Sequence, residues 1–105
     1  MYQIYMLRCK GNSIYTGITT DFSRRFRQHC GAESGGAKYT RSHPPEEVLC
    51  VWETETRSNA QKLEYRLKHL THKQKEDLIA IPSRLATLFP ELGDNFRLKC
   101  IHALL

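Results

Sequence analysis

The sequence predicts a small α+β domain, a mostly antiparallel sheet of three strands in the order β-β-α-β-α-α with helices packed against it. Three observations carry this. Two apolar stretches flank a Lys10-Gly11-Asn12-Ser13 turn, the mark of an antiparallel hairpin. Segments with helical apolar spacing or capping residues follow. The chain has 105 residues, enough for one modest core and not for two.

Residues 2–9 are apolar or aromatic on both parities, as in a strand covered on both faces. Residues 14–19 are rich in β-branched side chains and form its hairpin partner. Asp21 to Cys30 reads as a helix that Thr20 or Asp21 can cap, with Phe22, Phe26 and Cys30 as its buried stripe. Residues 31–46, rich in Gly, Ser and Pro, read as a long loop of the kind that is often functional. Val48 to Glu53 is the third strand. Capping boxes at Ser58-Asn59-Ala60-Gln61 and Thr71-His72-Lys73-Gln74 open two further helices. The first of these buries Ala60, Leu63, Leu67 and Leu70. Residues 1–80 are expected to form the functional domain. Residues 81–105 read as a helical tail on the same domain, broken at Pro90 and Gly93.

Composition narrows the function classes. The formal charge of +5 favours a polyanionic partner. No apolar run approaches the length of a membrane span, and the N-terminus lacks the features of a signal peptide, so a cytoplasmic protein is expected. Cys9, Cys30, Cys50 and Cys100 form no C-x-x-C pair and read as small buried hydrophobes.

Chemistry-bearing residues cluster in the hairpin and the two helices that follow. A two-residue hairpin loop would put Tyr5 and Tyr15 on opposite faces. A three-residue loop Gly11-Asn12-Ser13, or one bulge, would pair Cys9 with Tyr15 and put both phenols on one face. Gly17 shares the face of Tyr15 and leaves room for a ligand near the backbone. Arg25 and His29 lie one turn apart on one side of their helix, and a guanidinium binds phosphate through a planar fork. Glu64 falls on or beside the buried face of its helix. A carboxylate there needs a cation, a metal or several donors; the simpler alternative is an ion pair with Lys68 at i+4. His69 and His72 have helical metal-pair spacing, but the cap at Thr71 falls between them.

Together these residues resemble the GIY-YIG nuclease superfamily, most closely its small stand-alone bacterial branch. The matching elements are Gln3-Ile4-Tyr5, Tyr15-Thr16-Gly17 about ten residues on, Arg25-Phe26-x-x-His29, and a late helix with Glu64. Ile14 to Asp21 and Gly36-Ala37-Lys38-Tyr39-Thr40-Arg41 are similar to family signatures as well. Gln3 stands where the family name has glycine, and Thr16 where it has isoleucine. The similarity spans residues 2–80 and carries no separate DNA-binding domain.

The resemblance implies metal-assisted hydrolysis of a phosphodiester, with Tyr5, Tyr15, Arg25, His29 and Glu64 as catalytic residues. Glu64 would hold Mg²⁺ or Mn²⁺. Arg25 would stabilise the transition-state charge. Tyr5 or Tyr15 would position or deprotonate the attacking water, with Arg25 and the metal as cations able to lower a phenol pKa. His29 is a second candidate for proton transfer, expected at the rim of the cleft. Lys38, Tyr39 and Arg41 would contact the substrate, Tyr39 by stacking on a base, with Arg24 and Arg27 beside them. The partner is nucleic acid, DNA in the first place. The alternative is a non-catalytic nucleic-acid-binding module on the same fold.

Overall fold

A computed structural model describes the backbone of residues 1–104 and the side chains of residues 1–99. Strands β1 (Tyr2–Cys9), β2 (Ser13–Thr19), β3 (Pro45–Thr54) and β4 (Arg97–Leu104) form one antiparallel sheet in the order β2-β1-β3-β4. Helices α1 (Phe22–His29), α2 (Lys38–Ser42), α3 (Arg57–Lys68), α4 (His72–Ala80) and α5 (Leu85–Leu88) complete the fold. No helix among the described residues is long and apolar enough to cross a membrane.

The fold class is α+β, as the sequence predicts, but the sheet has a fourth strand. Residues 81–105 were expected to be helical. Short helical turns do occupy 82–92, after which residues 97–104 pair with β3. The Arg-Leu-Lys-Cys alternation at 97–100 is the strand signal, and Gly93 ends the preceding helical turn with a positive φ of 59°. The long loop is likewise shorter than expected, because α2 forms at Lys38–Ser42 and β3 begins at Pro45.

The hairpin closes around Lys10-Gly11-Asn12, with Gly11 at φ 83° and Asn12 at φ 64°. Both residues suit the left-handed region better than a bulky side chain would. The loop has three residues but begins one position earlier than Gly11-Asn12-Ser13. Leu7 rather than Cys9 therefore faces Tyr15, and Tyr5 faces Gly17. Leu7, Cys9 and Tyr5 share a parity, so Tyr5 and Tyr15 still emerge on one face of the sheet.

That parity divides the interior in two. Ile4 and Met6 of β1 enter the larger core with Leu49, Cys50 and Trp52 of β3 and Ala60, Leu63 and Leu67 of α3. Tyr5, Leu7 and Cys9 enter a second cluster with Val48 and Val51, covered by Tyr15 and by Phe22 and Phe26 of α1. Each face of β1 thus has its own helical cover, which explains why its sequence is apolar on both parities.

Caps fix the helix entries. Asp21 accepts from the Arg24 N–H (3.1 Å) at the start of α1. The cap of α3 is Thr56, whose hydroxyl accepts from the Asn59 N–H (3.1 Å), so the helix starts ahead of the expected Ser58 box. The Thr71/Gln74 capping box forms as expected. In α1, Cys30 is exposed at the C-cap and His29 is buried in its place, drawn inward by polar partners described below. Cys9 and Cys50 are buried as expected, and the Cys100 side chain lies outside the described residues.

Candidate active site

Tyr5 is the centre of the site and is only 1% exposed. Its ring lies across β2 over Gly17, where a Cβ would fall inside the phenol. Gly17 was expected to leave room for a ligand; the space is taken by Tyr5 itself. Tyr15 lies beside it at a centroid separation of 6.3 Å, and Phe22 of α1 covers another side at 5.2 Å.

The Tyr5 hydroxyl lies 2.7 Å from His29 Nε2. His29 is 3% exposed, so it belongs to the floor of the site and not to its rim. Its Nδ1 lies 2.8 Å from the Thr40 hydroxyl on α2, which donates to the Ala37 carbonyl (3.0 Å). Burial, with the Arg25 charge adding to it, lowers the His29 pKa to about 4, so the ring is neutral at physiological pH. Thr40 lay inside a recognised motif but carried no assigned role. The signal that finds it is spatial, since nothing in the spacing links it to His29.

Arg25 is half-buried on α1. Its guanidinium donates to Gln28 Oε1 (2.9 Å) and to the Gly35 carbonyl (2.7 Å). It also lies beside the Tyr5 oxygen, where its charge and donation work to lower the phenol pKa. Burial and the neighbouring Tyr15 outweigh it, and the Tyr5 pKa rises far above its ordinary value. Arg25 and a metal were the cations expected to lower a phenol pKa at Tyr5 or Tyr15; at Tyr5 the Arg25 contribution alone is smaller than the desolvation of the phenolate.

Glu64 comes from α3. Ala60, Leu63 and Leu67 of that helix pack into the other core, on the face opposite Tyr5. The Glu64 side chain is 22% exposed and pairs with Lys68 Nζ at 3.4 Å, so the i+4 ion pair forms. Its charge nevertheless reaches Tyr5 and contributes to raising the phenol pKa. A hard divalent cation takes oxygen ligands, often one or two carboxylates with waters and substrate phosphates. Among the described residues no three His, Cys, Asp or Glu side chains cluster to hold a metal unaided. The donor set fits a single-carboxylate site at Glu64.

The flanking residues divide into two groups. Tyr39 stacks on Tyr15 (5.9 Å, 19°), and His43 stacks on Tyr39 (4.4 Å, 8°). Tyr39 is 37% exposed, yet two rings already stack on it, so a base would use the part of the ring left open or displace one of them. Lys38 and Arg41 are exposed on the same short helix and form no ion pair with any described residue. Arg24 and Arg27 turn instead to Glu33 (3.8 and 2.7 Å). They hold the loop after α1 and are not free cations beside the site.

The model of the GIY-YIG catalytic domain family matches residues 1–77. The chain belongs to the GIY-YIG family. Its relatives include UPF0213 proteins of Halalkalibacterium halodurans (40% identical over 80 residues, 76% of this chain and 83% of that protein) and Cupriavidus necator (47% over 79 residues, 75% and 84%). A solution NMR structure of a UPF0213 protein from Bacillus halodurans is 34% identical and aligns over 82% of this chain and 98% of that one, with a TM-score of 0.51. The GIY-YIG match ends before α5 and β4, so the fourth strand lies outside the matched domain.

Proposed function

We propose that the chain is a metal-dependent endonuclease that hydrolyses phosphodiester bonds of nucleic acid, DNA in the first place. The observation that carries this reading is the gathering of Tyr5, Tyr15, Arg25 and His29 on one sheet face, within the electrostatic reach of Glu64, in a GIY-YIG family member.

Arg25 binds the scissile phosphate and offsets its growing charge with donors left over from Gln28 and Gly35. Glu64 would hold a Mg²⁺ or Mn²⁺ ion, which when bound supplies charge neutralisation at the phosphate and the leaving oxygen. Tyr15 is half-buried and orients the attacking water. Tyr5 stays protonated beneath it, its hydroxyl turned to His29, because its phenolate is disfavoured by burial. Lys38 and Arg41 draw in the polyanionic backbone.

A binding module without catalysis is the second reading, and one observation favours it. Both key charges already have partners, Arg25 with Gln28 and Gly35, Glu64 with Lys68. Labelled single-stranded, duplex, nicked and branched substrates, assayed with Mg²⁺, Mn²⁺ or EDTA, separate the two. For the nuclease, the ion restores cutting and Glu64→Gln lowers it by orders of magnitude, while affinity without metal holds or rises. Cutting by Glu64→Gln at the wild-type rate removes Glu64 from the metal role. No cutting of any substrate with either ion leaves the binding module.

A further inference from the structure

The polar chain beneath the site has a direction, and that direction assigns a role to Thr40. The Thr40 hydroxyl carries one proton and directs it at the Ala37 carbonyl, 3.0 Å away. Toward His29 Nδ1, 2.8 Å away, it therefore acts as acceptor, and the ring proton sits on Nδ1. Nε2 is then bare and takes the Tyr5 hydroxyl proton as a hydrogen bond at 2.7 Å. In this arrangement every donor of the buried chain meets an acceptor, from Tyr5 through His29 and Thr40 to the backbone.

The opposite tautomer fails that accounting. With the proton on Nε2, His29 would donate to the Tyr5 oxygen. The Tyr5 hydroxyl, 1% exposed, would then lack an acceptor among the described residues, since Arg25 beside it only donates. Thr40 would also have to abandon Ala37 in order to donate to Nδ1. An orphaned buried hydroxyl is costly, so the first direction prevails.

We propose that Thr40 is a positioning residue: it fixes His29 as the Nδ1–H tautomer, so that Tyr5 is held as a donor and α2 is seated with Tyr39 braced against Tyr15. The geometry of α2 supports the second half. The helix has five residues, too few to hold itself in place. Thr40 is its one buried residue, 1% exposed, and the neighbouring Tyr39 makes the stack on Tyr15. His29 touches both sides of the arrangement, since its ring also meets Tyr15 edge-on at 5.0 Å. The proposal rests on the nuclease reading only for its effect on cutting; the tautomer stands apart from it.

The test is the ¹⁵N spectrum of the His29 ring in the wild-type protein near pH 7, with Thr40→Val and Thr40→Ser beside it. Expected is a protonated Nδ1 and a bare, hydrogen-bonded Nε2 in the wild type and in Thr40→Ser. Thr40→Val keeps the shape but offers Nδ1–H no acceptor, so either tautomer leaves one buried donor unpaired and the Nε2–H form becomes populated beside the Nδ1–H form. In a cutting assay Thr40→Val should lose at least tenfold in kcat, as expected for a misplaced catalytic group, and Thr40→Ser should keep most of it. A wild-type ring protonated on Nε2 overturns the proposal whether or not Thr40→Val folds. A folded Thr40→Val whose ring stays wholly in the wild-type tautomer overturns it as well. A wild type that cuts nothing yet shows the Nδ1–H form sinks the nuclease reading and leaves the Thr40 assignment standing.

Discussion

Acidification should weaken this protein before any carboxylate with a displaced pKa is titrated. His29 is 3% exposed, and its pKa falls from an ordinary 6.5 to about 4. Between those values the unfolded chain binds a proton at this position and the folded chain does not. Folding stability therefore falls as pH falls through that window, and the loss is complete below about 4. At about 1.4 kcal/mol per pH unit the whole window corresponds to about 3 kcal/mol, of which about 2 kcal/mol is lost between pH 7 and pH 5. That is a sizeable part of the ~5–15 kcal/mol that holds a domain folded. Glu76 is the carboxylate whose pKa is displaced. Its bidentate pairing with Arg8 lowers it below the ordinary 4.5, so its contribution is lost at still lower pH. Urea unfolding at pH 7, 6 and 5 measures the effect, and His29→Gln removes the ionisable group. The wild type should lose about 2 kcal/mol across that range, and the variant, weaker at pH 7, should lose little more. A wild-type stability that is flat or rises from pH 7 to pH 5 would falsify the reasoning that His29 is held neutral by burial.

Two further perturbations probe the neighbourhood. Gly17→Ala places a Cβ inside the Tyr5 phenol, so the ring must move; a cost of about 1–3 kcal/mol is expected in urea unfolding, and an unchanged midpoint would mean that Tyr5 does not lie over residue 17. Replacing Lys38 and Arg41 with Ala should flatten the dependence of log K on log salt by up to about two units on duplex DNA, whereas an unchanged slope would place the binding surface elsewhere.

The sheet-and-helix class was legible from alternation and spacing; the gathering at the site was legible only through the family resemblance, since alternation left the two tyrosines on the same or opposite faces according to the hairpin loop. Tyr5 and Tyr15 share a face for any hairpin that preserves their parity, and Leu63 and Leu67 bracket Glu64 at helical spacing. Less legible was anything decided by contacts between distant segments. His29 follows a basic run and resembles a solvated helix face, yet Tyr5 and Thr40 bury it. Arg24 and Arg27 resembled free cations until Glu33 folded back to them. β4 was missed because a short polar-apolar alternation after Pro90 and Gly93 gives little signal until β3 offers it a partner. The balance at Tyr5 was not legible either: only the packed structure shows how completely the phenol is removed from water, against which the Arg25 charge is the smaller effect.

The alternation of β1 has a consequence for how this protein tolerates change. Neighbouring residues of a single strand answer to separate demands, Ile4 and Met6 to the larger core, Tyr5 to the second cluster and the proposed site on the other side. Substitution at Ile4 or Met6 should therefore change thermal tolerance alone, whereas substitution at Tyr5 should change thermal tolerance and, on the nuclease reading, turnover together. An engineer seeking a sturdier variant has the even positions and their partners on α3 as a workspace. At the odd positions the second core and the proposed site share the same side chains, so a change there moves both.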